Sequence, residues 1–230
     1  MDQRSDPEAK EQAAYPMSEV SHWYDFADCS HGQMKTQGKY KNLYPVGAVV
    51  HFTAGRSRTE KDAEIMTRLA QERGHCYFVI GPTGKVYQSF PLTEWGYHAG
   101  PSQYGKLGGA LSRQLVGIEI TSAGKLAEAT DGRLISWFGE SIEHEFARYL
   151  DKDRENSRKG YFHKFTDEQE SSLIKLILWL KGNNPTIFNL DNVIGHNECA
   201  MPRGRKVDPG GSLSMSMAEL RSLLVTAFQK

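Results

Sequence analysis

The sequence predicts an α/β domain in which helices pack on the faces of a central β-sheet, and three observations lead there. Apolar runs of strand length recur along the chain, among them 48–53 and 116–121; stretches of helical periodicity lie between them; and no internal repeat divides the chain. A length of 230 residues suits one domain with a sizeable core.

The elements follow in order. Residues 1–38 are polar and poor in aliphatic side chains, and read as an N-terminal extension whose Trp23, Tyr24 and Phe26 can dock on the domain of residues 39–230. After the strand at 48–53, residues 57–62 lead into a helix over 63–73, with Ile65, Met66 and Leu69 at helical spacing and Gly74 as its stop. Residues 76–80, the turn Gly81-Pro82-Thr83-Gly84 and residues 85–90 form a hairpin. The loop 94–109, rich in Gly and Tyr, is long enough to suggest binding. Beyond the strand at 116–121 comes an irregular charged insertion, about 122–163, with a short helix expected over 142–150. Its run Asp151-Lys152-Asp153-Arg154-Glu155 reads as a solvated loop, recognition being the lesser reading. Thr166 and Gln169 make a capping box for a second helix carrying Leu173, Ile174, Ile177, Leu178 and Leu180, which Gly182 and Pro185 end. A short strand over 191–196 and an amphipathic helix over 216–228 complete the pattern.

Composition narrows the partners. Lys and Arg total 28 against 28 for Asp and Glu, so no global field draws the chain to nucleic acid or to an anionic membrane. Its apolar runs fall far short of the roughly 18 residues of a membrane span. Residues 1–12 carry charges of both signs and no apolar core of a signal peptide, so a cytoplasmic site of synthesis is expected. Three cysteines, Cys29, Cys76 and Cys199, are too few and too irregularly spaced for a disulfide framework, and read as reduced thiols. Oligomeric state is not legible.

The chemistry concentrates in residues 195–210, where His196, Lys206 and Asp208 share one short connection. Strand alternation sends His51 and Glu119 to the faces opposite their apolar neighbours, so these polar groups can meet on one sheet face. A catalytic zinc needs three protein ligands and an open position, and two neutral imidazoles with one carboxylate leave the metal positive enough to acidify water. His51, His196 and Asp208 fit that demand; Cys199, a thiolate donor when ionised, is the rival third ligand.

Six pieces occur in one order: Val50-His51-Phe52-Thr53-Ala54, Tyr77-Phe78-Val79-Ile80 with its hairpin, His98-Ala99-Gly100, Val116-Gly117-Ile118-Glu119, Gly195-His196, and Arg205-Lys206-Val207-Asp208-Pro209-Gly210. Together, over about residues 45–215, they resemble the type 2 family of zinc-dependent N-acetylmuramoyl-L-alanine amidases, which includes bacteriophage lysozyme-type amidases and peptidoglycan recognition proteins. The resemblance implies a single domain with a central mixed β-sheet flanked by helices, and hydrolysis of the amide between N-acetylmuramic acid and L-Ala of peptidoglycan or muropeptides. It implies zinc (Zn2+) held by His51, His196 and Asp208, Glu119 as acid/base, Lys206 at the oxyanion, and His98 toward substrate; Tyr77 reads as core or as groove wall in contact with substrate. Some phage members use Cys as third ligand, but the context of Asp208 matches those that use Asp. The chain departs from the commonest pattern by about two extra residues near 201–203. A phage lysin, an exported toxin and a recycling enzyme all suit such a chain. The rival expectation is a peptidoglycan-binding module that does not cut, against which the complete His51, His196, Asp208 and Glu119 set stands.

Overall fold

The computed structural model describes residues 19–30, 32, 34–75 and 77–229; Cys76 and the first 18 residues of the extension lie outside the described residues. Its centre is a six-stranded mixed sheet. In chain order the strands are β1 (Ala27–Asp28), β2 (Ala48–Phe52), β3 (Tyr77–Ile80), β4 (Val86–Tyr87), β5 (Val116–Ile120) and, after the long insertion and a helix, a last strand at Val193–Gly195. They lie side by side as β1, β4, β3, β5, β2 and the last strand, all neighbours parallel except the β3–β4 hairpin. Part of the extension is thus built into the sheet: β1 adds an edge, and Tyr24 is buried edge-on against Trp179, 5.1 Å between ring centroids.

Alternation sorts the strands' side chains into two layers. Ala48, Val50, Phe78, Ile80, Val116, Ile118 and Ile120 enter the main core, covered by helices α2 (Asp167–Asn183) and α4 (Met217–Phe228) through Leu173, Ile177, Leu180, Leu220 and Leu224. Both helices start on complete capping boxes, Thr166 with Gln169 and Ser216 with Glu219, as the sequence pattern requires. The other face carries Tyr77 and Val79 beneath helix α1 (Glu60–Arg73) and, beyond α1, Val49. Thr59 caps α1 and Gly74, at φ 69°, ends it. The apolar face expected for α1 is only partly the buried one, with Met66 packed against the cluster of Tyr77 and Val79. Ala63, Thr67 and Ala70 meet the sheet while Ile65 is 40% exposed, because small residues let the helix lie close.

The insertion is more regular than expected. It forms a meander of β5-distal strands β6 (Ala127–Glu128), β7 (Leu134–Ile135) and β8 (Ser141–Ile142), then a hairpin of β9 (Ala147–Leu150) and β10 (Gly160–His163). The helix expected over 142–150 is therefore a correction: one 3-10 turn, His144–Phe146, is followed by a strand, since pairing with β10 outweighs local apolar spacing. The strand expected over 191–196 shrinks to β11 (Val193–Gly195), and His196 opens the short helix α3 (His196–Cys199).

Candidate active site

His51 on β2 and Glu119 on β5 are direct register partners, so both point to the face opposite the main core. The chain reaches the same place again at the end of β11, where His196 begins α3, and at Asp208 in the following loop; the Asn197 N–H donates to the Asp208 carbonyl at 2.8 Å, tying the two ends of that loop. His51 Nδ1, His196 Nδ1 and Asp208 Oδ2 converge with separations of 3.0, 3.0 and 2.9 Å, all three residues buried.

The hydrogen bonds around this cluster assign its protons. Carbonyl oxygens only accept, so His196 Nε2–H donates to the Ala99 carbonyl and His98 Nε2–H to that of Leu115, each at 2.9 Å. His98 Nδ1 is then an acceptor, and takes the His51 Nε2–H at 3.1 Å. That leaves unprotonated Nδ1 atoms on His51 and His196, facing each other and a carboxylate oxygen. Three lone pairs this close repel unless a cation lies among them, and their spacing is that of donors sharing a small ion with bonds of about 2.0 Å. The donor set, two imidazoles and one carboxylate, fits zinc. Burial, with the His196 ring next, pushes the His51 pKa down to about 4, which keeps the ring available as a ligand. Burial would raise the Asp208 carboxyl, but its contacts with His196 and His51 outweigh that and hold it below the usual range.

Cys199 takes no part. Its thiol is buried with Val49, Leu111 and Ile194, contacts the His196 carbonyl, and burial pushes its pKa up to about 12. Glu119 is the opposite case, half-buried with a buried Oε2 that has no partner. Burial, then the Asp208 charge, drives its pKa well above the carboxylate range, opposed by Lys206. His51, His98, Glu119, His196, Lys206 and Asp208 all line one cavity of about 300 Å³, rimmed by Thr53, Ala54 and Arg205. Tyr77 is absent from that lining; it is 7% exposed and packs with Ala63, Ala70 and Val79 under α1. His98 also does more than line the wall, because it fixes the His51 ring.

Sequence reading missed what holds the Asp208 loop. From the insertion, Ser157 Oγ–H donates to the Val207 carbonyl at 2.6 Å, Asn156 to that of Asn197 at 2.7 Å, and Arg148 and Arg154 to carbonyls of residues 210–213. The run 151–155 is therefore not simply a solvated loop: Arg154 points inward, and Glu155 accepts from the Met217 N–H. From the other side Arg221 on α4 grips Glu198 with two bonds, 2.9 and 3.0 Å, while Glu198 also accepts the Gly195 N–H. No periodicity marks such tethers, and the charge run by itself pointed to solvent.

The family model for N-acetylmuramoyl-L-alanine amidase matches residues 41–211. The chain belongs to that family. The amidase fold is seen again in solved structures: AmpD, at TM-score 0.54 and 20% identity, covering 90% of this chain and 99% of that one; and Escherichia coli AmiD bound to anhydro-N-acetylmuramic acid-L-Ala-D-γ-Glu-L-Lys, at 0.51 and 19%, covering 82% and 60%. AmpDh3 of Pseudomonas aeruginosa gives 0.50 and 20%, covering 83% and 62%. This amidase thus spans about three-fifths of the two longer proteins. A sequence search of curated proteins gives no match.

Proposed function

We propose that this amidase is zinc-dependent and cleaves the bond between the lactyl carbonyl of N-acetylmuramic acid and the L-Ala that begins the stem peptide, in peptidoglycan or muropeptides. The observation that carries the zinc is the convergence of two unprotonated imidazole nitrogens and a carboxylate oxygen, 2.9–3.0 Å apart, beside a carboxyl with an unpartnered oxygen. Bound by His51, His196 and Asp208, zinc would supply Lewis acidity that acidifies water and polarises the carbonyl. Glu119, in its carboxylate form, takes a proton from the attacking water at Oε2 and returns it to the departing Ala nitrogen. Its raised pKa makes the carboxylate a stronger acceptor of that proton than a solvated one would be. Lys206, on the cavity wall, brings an ammonium to the oxygen of the tetrahedral intermediate. His98 accepts the His51 Nε2–H and so keeps Nδ1 directed at the metal position.

Mass spectrometry of the products tests this. Zinc-loaded protein acting on sacculi or soluble muropeptides should free stem peptides with a new L-Ala amino terminus, a chelator should stop it, and added zinc should restore it. Cleavage at a sugar or peptide bond, or full activity in chelator, would overturn the reading.

A further inference from the structure

The turn between β7 and β8 carries two aromatic residues that face different ways. Phe138 packs against the insertion's own cluster of Ala123, Leu126, Leu134 and Ile142, whereas Trp137 is 75% exposed. Trp137 is nonetheless held in place. Its indole N–H donates to the carbonyl of Ala54, a residue of the active-site rim, and its ring meets Phe138 edge-on at 5.7 Å.

The turn is also clipped to the loop that follows that rim. Ser136 Oγ accepts the Glu140 N–H at 2.9 Å, and Glu140 pairs with Arg56 at 2.7 Å and Arg58 at 3.5 Å, both on the loop that follows Ala54. Exposed ion pairs of this kind add little stability, but three attachments to one five-residue stretch give the turn a fixed bearing on the site. The result is an indole whose only polar atom is already satisfied and whose apolar face is open beside the cavity. Exposure alone would not set Trp137 apart; its fixed place at the edge of the active-site cavity does.

The chemistry of the face selects what covers it. A satisfied indole offers no donor to peptide amides or carboxylates; it offers a flat apolar surface, which matches the C–H face of a pyranose ring whose hydroxyls stay hydrated at the edge. The cations that suit an acidic stem peptide, Arg205 and Lys206, line the cavity from the loop carrying Asp208 and not from the insertion. We infer that Trp137 is a saccharide platform: its indole stacks on a sugar of the glycan strand beyond the muramoyl residue being cut, so the insertion confers a preference for multi-sugar substrates. This rests on the amidase reading above.

The test compares zinc-loaded wild type, Trp137→Ala and Trp137→Phe on a single-sugar muramoyl peptide and on a soluble glycan strand of several disaccharides bearing the same peptides, following the new L-Ala amino groups. On the strand, Trp137→Ala should raise KM about three- to tenfold with kcat little changed, the scale of one lost stacking contact. On the single-sugar substrate it should change neither, and Trp137→Phe, which keeps a ring face but no N–H, should recover most of the loss. Equal KM on the strand for wild type and Trp137→Ala, an equal shift on both substrates, or a Phe variant as poor as Ala would each overturn the platform. A readout independent of cleavage separates this from failure of the amidase reading: titration with a peptide-free glycan strand should change the tryptophan fluorescence of wild type and leave that of Trp137→Phe nearly unaltered. Identical changes in both proteins would also sink it.

Discussion

Glu119 differs from the donors beside it in having a buried Oε2 with no protein partner on the wall of the cavity they share, which leaves it free to take a proton. Glu119→Gln keeps the shape and removes the proton acceptor, so it should bind zinc and melt like wild type yet turn over ~10²- to 10⁴-fold more slowly. Product release close to the wild-type rate would show that another group activates water. Lys206→Ala should leave zinc content unchanged and lower kcat, by on the order of 3 kcal/mol in the transition state. A rise in KM alone would reduce Lys206 to a attraction for the acidic peptide. At this scale the sequence was legible because ligand chemistry and strand alternation act locally. His51 and Glu119 each sit among apolar neighbours, so alternation set each opposite them, and the parallel register of the two strands brings them to one face. The preference for Asp208 over Cys199 came from the residues around Asp208; the burial of the thiol among Val49, Leu111 and Ile194, which supports it, is something no spacing reveals.

Between elements, the geometry of the site depends on glycine and on tethers. A Cβ at Gly117, in the middle of β5, would lie 2.8 Å from His98 Cγ and 2.9 Å from Tyr77 Cβ, so only glycine lets His98 seat against the strand and hold His51. Gly117→Ala should therefore weaken zinc binding roughly tenfold while leaving the protein folded, the scale found when a partner of a metal ligand is displaced. Competition with a chromogenic chelator measures it; an unchanged affinity would mean His98 does not orient His51. Helices α2 and α4 were readable from the sequence since caps and periodicity are encoded within one turn or two, whereas for α1 the Gly74 stop was readable and the Thr59 cap was not. The insertion was not. Its strands pair over short lengths, β9 with β10 across a loop of nine residues, and what fixes them is contact with carbonyls of residues 207–213 far along the chain. A charge run that looks solvated by composition can in this way become the brace of a metal-ligand loop.

Across the whole molecule, the insertion and the sheet are joined at His163, the last residue of β10. Its Nδ1 accepts the Ala123 N–H at 3.1 Å and contacts Ser57 Oγ at 3.2 Å, so three separate segments meet on one neutral ring. A backbone N–H can only donate, which places the ring proton on Nε2; protonating Nδ1 would break the junction. Burial, and then the charge of Arg58, lowers the His163 pKa from its ordinary 6.5 to about 4. Between those values the unfolded chain binds a proton that the folded chain does not. The contribution is thus complete above about pH 6.5, declines as the pH falls, and is fully lost below about pH 4. Its ceiling is about 3 kcal/mol, less whatever solvent reaching the partly exposed ring screens. His163→Asn supplies an acceptor without a titrating proton. Urea midpoints of zinc-loaded wild type should fall between pH 7 and pH 5, and those of His163→Asn should fall less. Parallel declines in the two proteins would assign the pH sensitivity to other groups and leave His163 as a packing residue only.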